Sequence, residues 1–154
     1  MSTAFVFPGQ GSQYIGMGKI TNAAIADKFF SEAQSAISLP IKKLCLEGPE
    51  DELKKTEITQ PAIFTVSAII LEALKGKGIS PFMAAGHSLG EYGALYAAGS
   101  ISFSDTVKLL HLRGKFMQEA VPIGEGAMAA VLGLSPDIIS EICRITGVAA
   151  ANYN

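Results

Sequence analysis

Apolar and polar residues along this chain change rhythm several times, and each change predicts an element. "TAFVF" (residues 3–7) is short, apolar and β-favouring, and Pro8-Gly9 ends it, which predicts a buried strand. Over roughly the next 30 residues the pattern turns helical, with Ile25, Phe29, Phe30, Ala33 and Ile37 on one face until Pro40 stops it. "EGPEDELKK" predicts a polar turn and a short helix, acids first and lysines last, as the helix dipole prefers. "TQPAIFTVSAIILEALKGKG" predicts a longer helix, capped by Thr59 or Gln60, with Pro61 near its first turn and Gly76 and Gly78 ending it. Pro81 and "FMAAG" predict a second strand, with a helix over 89–98 behind it. Ser104-Asp105 opens another helix, running to about Val121 with Val107, Leu110, Gly114, Met117 and Val121 towards the core. After Pro122 the rhythm becomes strand ("MAAVLGL"), helix ("SPDIISEICRITG") and strand ("VAAANYN"). Alternating strands and helices predict an α/β protein with a parallel sheet. The glycine-bearing turn at 124–126 is the expected boundary between two subregions, 1–123 and 124–154.

Composition sharpens this picture only in places. The charged fraction is 17%, below the roughly 25% of a typical soluble domain, and the mean hydropathy is positive. No apolar run reads as long enough to span a bilayer; "AIFTVSAIILEAL" (62–74) is short and carries Glu72. The start shows no signal-peptide pattern. An apolar chain that stays soluble needs many buried positions, which suggests part of something larger. A net charge of −2 offers no basic patch for nucleic acid. Cys45 and Cys143 lie far apart outside any CxxC pattern, so free thiols in a reducing cytoplasm are expected, and no metal-ligand cluster is visible.

Two loops carry candidate chemistry. Gly86-His87-Ser88-Leu89-Gly90, between the second strand and its helix, has the G-x-S-x-G spacing of a nucleophile elbow. A sharp turn would push the Ser88 hydroxyl clear of the backbone, and the following helix N-terminus would offer N–H groups to an oxyanion. The same residues also spell a capping box, Ser88-x-x-Glu91, and the local sequence leaves both readings open. The other loop, "FPGQGSQ" (7–13), fails the phosphate-binding patterns: Tyr14 stands where the dinucleotide fingerprint needs glycine, and Gln13 and Ile20 break a Walker loop around Gly18-Lys19. It remains a tight loop at a strand's C-terminal end, where α/β sheets place ligands. Gln10 could supply an amide donor there, or the loop could be an ordinary turn.

Together, "FPGQGSQYIGMG", "GHSLGEYGAL" and "LRGKFMQEAVPIGEGAMAAVLGL" (112–134) resemble bacterial malonyl-CoA:acyl carrier protein transacylases and the acyltransferase domains of fatty acid and polyketide synthases. The resemblance runs in order over essentially the whole chain. It implies a hydrolase-like α/β core with an inserted ferredoxin-like small subdomain, both incomplete here. It makes Ser88 the acyl-accepting nucleophile and the backbone N–H groups of Gln10 and Leu89 the oxyanion hole. Arg113, otherwise a surface ion-pair residue, becomes the clamp for the malonyl carboxylate, its planar fork matching that group. The implied partners are malonyl-CoA, as a coenzyme A thioester substrate, and acyl carrier protein. No metal or redox cofactor, nucleic acid or membrane enters.

Serine chemistry needs a base, and the chain has two histidines. His87 adjoins Ser88, where neighbours at a sharp turn point apart; His111 reads as a satisfied boundary histidine. In the resembling family the catalytic histidine lies downstream of a small subdomain. Residues 1–154 therefore read as an N-terminal half, with the remainder an expected partner. A serine esterase or thioesterase using the same elbow, or a non-catalytic carrier-protein-binding fragment, are the alternative readings.

Overall fold

The structure, a computed structural model, describes residues 3–19, 22–121 and 124–153. It divides into two units, Met1–Pro122 and Ile123–Asn154. Residues 122 and 123, beside the expected boundary, lie outside the described residues.

The first unit is α/β. Strand β1 (Ala4–Phe7) pairs in parallel with β2 (Met83–Gly86), in the register Ala4↔Met83 through Phe7↔Gly86. Helices α1 (Ala23–Ile37), α2 (Ile41–Glu47), α3 (Glu50–Leu53) and α4 (Thr56–Lys75) lie between the strands in sequence; α5 (Gly90–Ala97) and α6 (Phe103–Ala120) follow. The helical pattern expected directly after β1 begins only at Ala23. Before it, Gly11, Gly16 and Gly18 take φ of 104°, 95° and 91°, a left-handed backbone that no helix accommodates. Residues 20 and 21 of that expected stretch lie outside the described ones. Asn22 caps α1 by accepting from the Ala24 N–H. Pro40 ends one pattern and sits at the start of α2, a helix the sequence reading passed over.

Helix α4 is the spine of the unit. It starts at Thr56, three residues before the expected cap, so Thr59 and Gln60 are fully buried in its interior. At 20 residues it is, by length and composition, able to cross a bilayer, contrary to the shorter run expected; 67% of its apolar window is buried inside the protein. Buried residues from Ile58 to Leu71 face both α1 and α6. Phe103 of α6 closes this core, stacked on Phe64 at 5.4 Å and edge-on to Phe29 at 4.7 Å.

Two expectations about burial fail. Of β1 only Phe7 is buried, while Val6 is 77% exposed, as are Phe82 (75%) and Met83 (59%) around β2. A two-stranded sheet covers neither strand on all sides, so alternate side chains reach solvent. On α6, Val107, Leu110 and Gly114 are buried as expected, but Met117 is exposed, as is Val121 just past its end. The second unit holds α7 (Pro136–Thr146), capped by Ser135 and ended by Gly147 in the left-handed conformation. Among its described residues neither expected flanking segment is a strand.

Candidate active site

The turn after β2 is built by what glycines allow. A side chain at Gly86 would overlap the Gly90 backbone, and one at Gly90 would overlap the Phe7 carbonyl. The strand end, the helix start and the first loop therefore approach to backbone contact. Between the glycines Ser88 has φ of 53°, a left-handed conformation that costs a non-glycine residue roughly 1–2 kcal/mol. The capping reading of the local sequence finds no support in this turn. Helix α5 starts at Gly90 with Leu89 as its cap and no side-chain cap bond, so Ser88 is not a capping residue.

The Ser88 hydroxyl instead accepts a hydrogen bond from Arg113 Nη2 at 3.1 Å. Arg113 Nη1 donates to Gln60 Oε1 at 2.7 Å, and Gln60 Nε2 faces Met117 Sδ at 3.3 Å. Among the described residues Arg113 has no carboxylate within ion-pair distance, whereas Arg144 pairs with Glu141 at 2.7 Å. Among the described residues the half-buried Arg113 guanidinium therefore has only neutral partners, not the surface ion pair it would otherwise suggest. It borders an apolar trough of about 460 Å³ formed by Tyr92, Leu109, Leu112, Phe116, Met117 and Ala120.

The first glycine loop lies against the second. A Cβ on Gly9 would come to 2.5 Å from His87 Nδ1 and 3.0 Å from the His87 carbonyl. Gln10 follows, its side-chain Nε2 donating to Thr56 Oγ1 at 3.3 Å. Among the described residues the backbone N–H groups of Gln10 and Leu89 have no acceptor. Leu89 is only 1% exposed, and a buried backbone donor normally has a partner. The structure thus brings Ser88, Arg113 and the loops of Gln10 and Leu89 into one neighbourhood.

Among the described residues neither histidine hydrogen-bonds to the Ser88 hydroxyl. His87 is exposed, and its backbone N–H donates to the Phe7 carbonyl at 3.0 Å. His111 Nδ1 lies 3.0 Å from the Glu57 carbonyl, which can only accept, so that nitrogen carries the proton. The carbonyl is open because its helical donor would be the N–H of residue 61, which proline lacks. Cys45 is no rival nucleophile: it is fully buried, and burial pushes its thiol up to about 12.

Sequence reasoning missed Thr56 and Gln60 as members of this neighbourhood. The available signal was Gln60 itself, a polar side chain entering the most apolar stretch of the chain.

Comparisons with known proteins cover nearly the whole chain. The acyl transferase domain family matches residues 4–153. The malonyl CoA-acyl carrier protein transacylase of Bacillus subtilis is 49% identical over 90% of this chain and 44% of its own length. That of Escherichia coli K12 is 46% identical over 98% of this chain and 51% of its own. A solved malonyl-transacylase in complex with a type II PKS acyl-carrier protein superposes with a TM-score of 0.89 at 43% identity, covering 96% of this chain and 48% of that one. The chain therefore spans about half the length of the curated relatives it matches. With that match over nearly all of its residues, the chain belongs to the acyl transferase domain family.

Proposed function

We propose that this chain carries the acyl-accepting part of a malonyl-CoA:acyl carrier protein transacylase. Ser88 Oγ attacks the thioester carbonyl of malonyl-CoA, and the tetrahedral oxyanion is met by the N–H groups of Gln10 and Leu89. The carbon–sulfur bond breaks and the coenzyme A thiol leaves, giving a malonyl-serine ester. The pantetheine thiol of acyl carrier protein then attacks that ester and restores Ser88. Arg113 binds the free carboxylate throughout. The proton of Ser88 goes to a base that is neither His87 nor His111; the expectation of a histidine further along the family's sequence is part of this proposal. The reaction uses no metal or redox cofactor and runs in the cytoplasm.

The observation that carries the reading is the guanidinium of Arg113, which lies 3.1 Å from the Ser88 hydroxyl and has no carboxylate partner among the described residues. An esterase shares the serine but gives that charge no task. In the same proposal, residues 1–123 are the first part of a hydrolase-like core and 124–154 the first part of a ferredoxin-like subdomain.

The test is the intact mass of the purified chain before and after incubation with malonyl-CoA. A malonyl gain that disappears in Ser88→Ala is the expected result. An equal gain in Ser88→Ala removes Ser88 from the role, whereas a folded chain whose mass stays unchanged places acylation in a longer protein that supplies the base, or favours a non-catalytic carrier-protein-binding fragment.

A further inference from the structure

We infer that Gln60 is a positioning residue for Arg113, one that holds the guanidinium in place without cancelling its charge. The inference rests on the acyltransferase reading for its consequence, though not for its geometry. Gln60 is fully buried in α4 between Thr59 and Pro61. An amide there is costly unless both its ends are bonded, and both are. A guanidinium only donates, so the carbonyl end must face Arg113, at 2.7 Å; the thioether of Met117 only accepts, so the amino end faces it, at 3.3 Å. The two neighbours fix the amide's orientation, and the amide fixes one edge of the guanidinium.

The helix packing makes this reach possible. A Cβ at Gly114 would come to 2.5 Å from Glu57 Cα and 2.6 Å from the Thr56 carbonyl. Residue 114 of α6 is thus pressed onto the first turn of α4, which sets Arg113 beside Gln60. The chemistry of the partner matters as much as its place. Glutamate has nearly the same shape and would also accept from Nη1, but its charge would pair with the guanidinium and compete with a carboxylate substrate. A neutral amide orients the cation and leaves it available. Thr56, in the same first turn, receives the Gln10 side chain, so α4 supports the oxyanion loop as well.

The experiment compares wild type, Gln60→Glu and Gln60→Leu, each checked for folding by circular dichroism. With only Arg113 and Arg144 in the chain, arginine side-chain nitrogen spectra are readily assigned. The expected result is two distinct Nη signals for Arg113 in wild type that merge in Gln60→Leu, with Arg144 unchanged. Spectra unaltered by the substitution would overturn the inference. The second readout is the rate of Ser88 labelling by malonyl-CoA and by acetyl-CoA. Gln60→Glu should lower the malonyl-to-acetyl ratio about tenfold; equal losses on both would mean a merely structural role. If wild type takes neither acyl group, this chain does not acylate itself, and the spectra alone decide whether Gln60 holds Arg113. Should Gln60→Leu fail to fold, Gln60→Met, of nearly equal length, replaces it.

Discussion

Arg113 concentrates the chemistry of the site because its two terminal nitrogens have different tasks. Nη1 is tied to a buried amide and Nη2 rests on the Ser88 hydroxyl. In the proposed reaction a malonyl group on Ser88 would place its carboxylate against this fork, whereas an acetyl group has nothing to offer it. Hydrogen bonds to charged groups are worth about 1.5–3 kcal/mol, and each 1.4 kcal/mol is about a tenfold change in rate. Arg113→Ala should therefore lower the malonyl-to-acetyl labelling ratio at Ser88 by roughly 10- to 100-fold. The loss should fall on malonyl, and the acetyl rate should rise relative to it. Competition of the two thioesters, read by intact mass, measures the ratio directly; an unchanged ratio takes Arg113 out of selectivity.

At the scale of elements, Pro61 and His111 form a linked pair across α4 and α6. Proline removes the donor for the Glu57 carbonyl, and the His111 ring replaces it at 3.0 Å. A part-buried carbonyl left without a partner costs at most about 1–3 kcal/mol. His111→Ala should thus lower stability by about that amount. In a Pro61→Ala background the new N–H can serve Glu57, so the same substitution should cost about 1 kcal/mol less. Urea midpoints of the four proteins give the coupling; strictly additive effects would sink the link. The same pair shows what a sequence can and cannot convey. The strand ends at Pro8-Gly9, the elbow spacing around Ser88 and the α6 core positions Val107, Leu110 and Gly114 are local patterns, and they were readable. His111 was readable only as a satisfied histidine, because its partner carbonyl lies 54 residues away. Gln60 passed for a helix cap because the true start of α4, at Thr56, has no side-chain capping bond to announce it. At Ser88 the local sequence left an elbow and a capping box equally open, because the glycine contacts that shape the turn come from residues distant in sequence, such as Phe7.

At the scale of the molecule, the first unit combines a well-covered helical core with a poorly covered sheet. Val6, Phe82 and Met83 are 59–77% exposed, and an apolar cleft of about 360 Å³ runs between β1 and α4, lined by Phe5, Phe7, Ile63 and Leu71 among others. Among the described residues each strand has a single partner and so an open edge. Open edges beside exposed apolar side chains are the surfaces on which chains associate. The purified chain should accordingly show concentration-dependent association by light scattering and bind an apolar dye while still folded. Charges placed on the exposed positions, as in Val6→Lys with Phe82→Lys, should suppress both. Because these side chains contribute little buried area, each change should move stability by no more than about 0.5 kcal/mol, so lost association would not be confused with lost folding. Association that persists in the doubly charged chain would place the sticky surface elsewhere, with Leu109, Leu112 and Phe116 along α6 as the next exposed apolar set to charge.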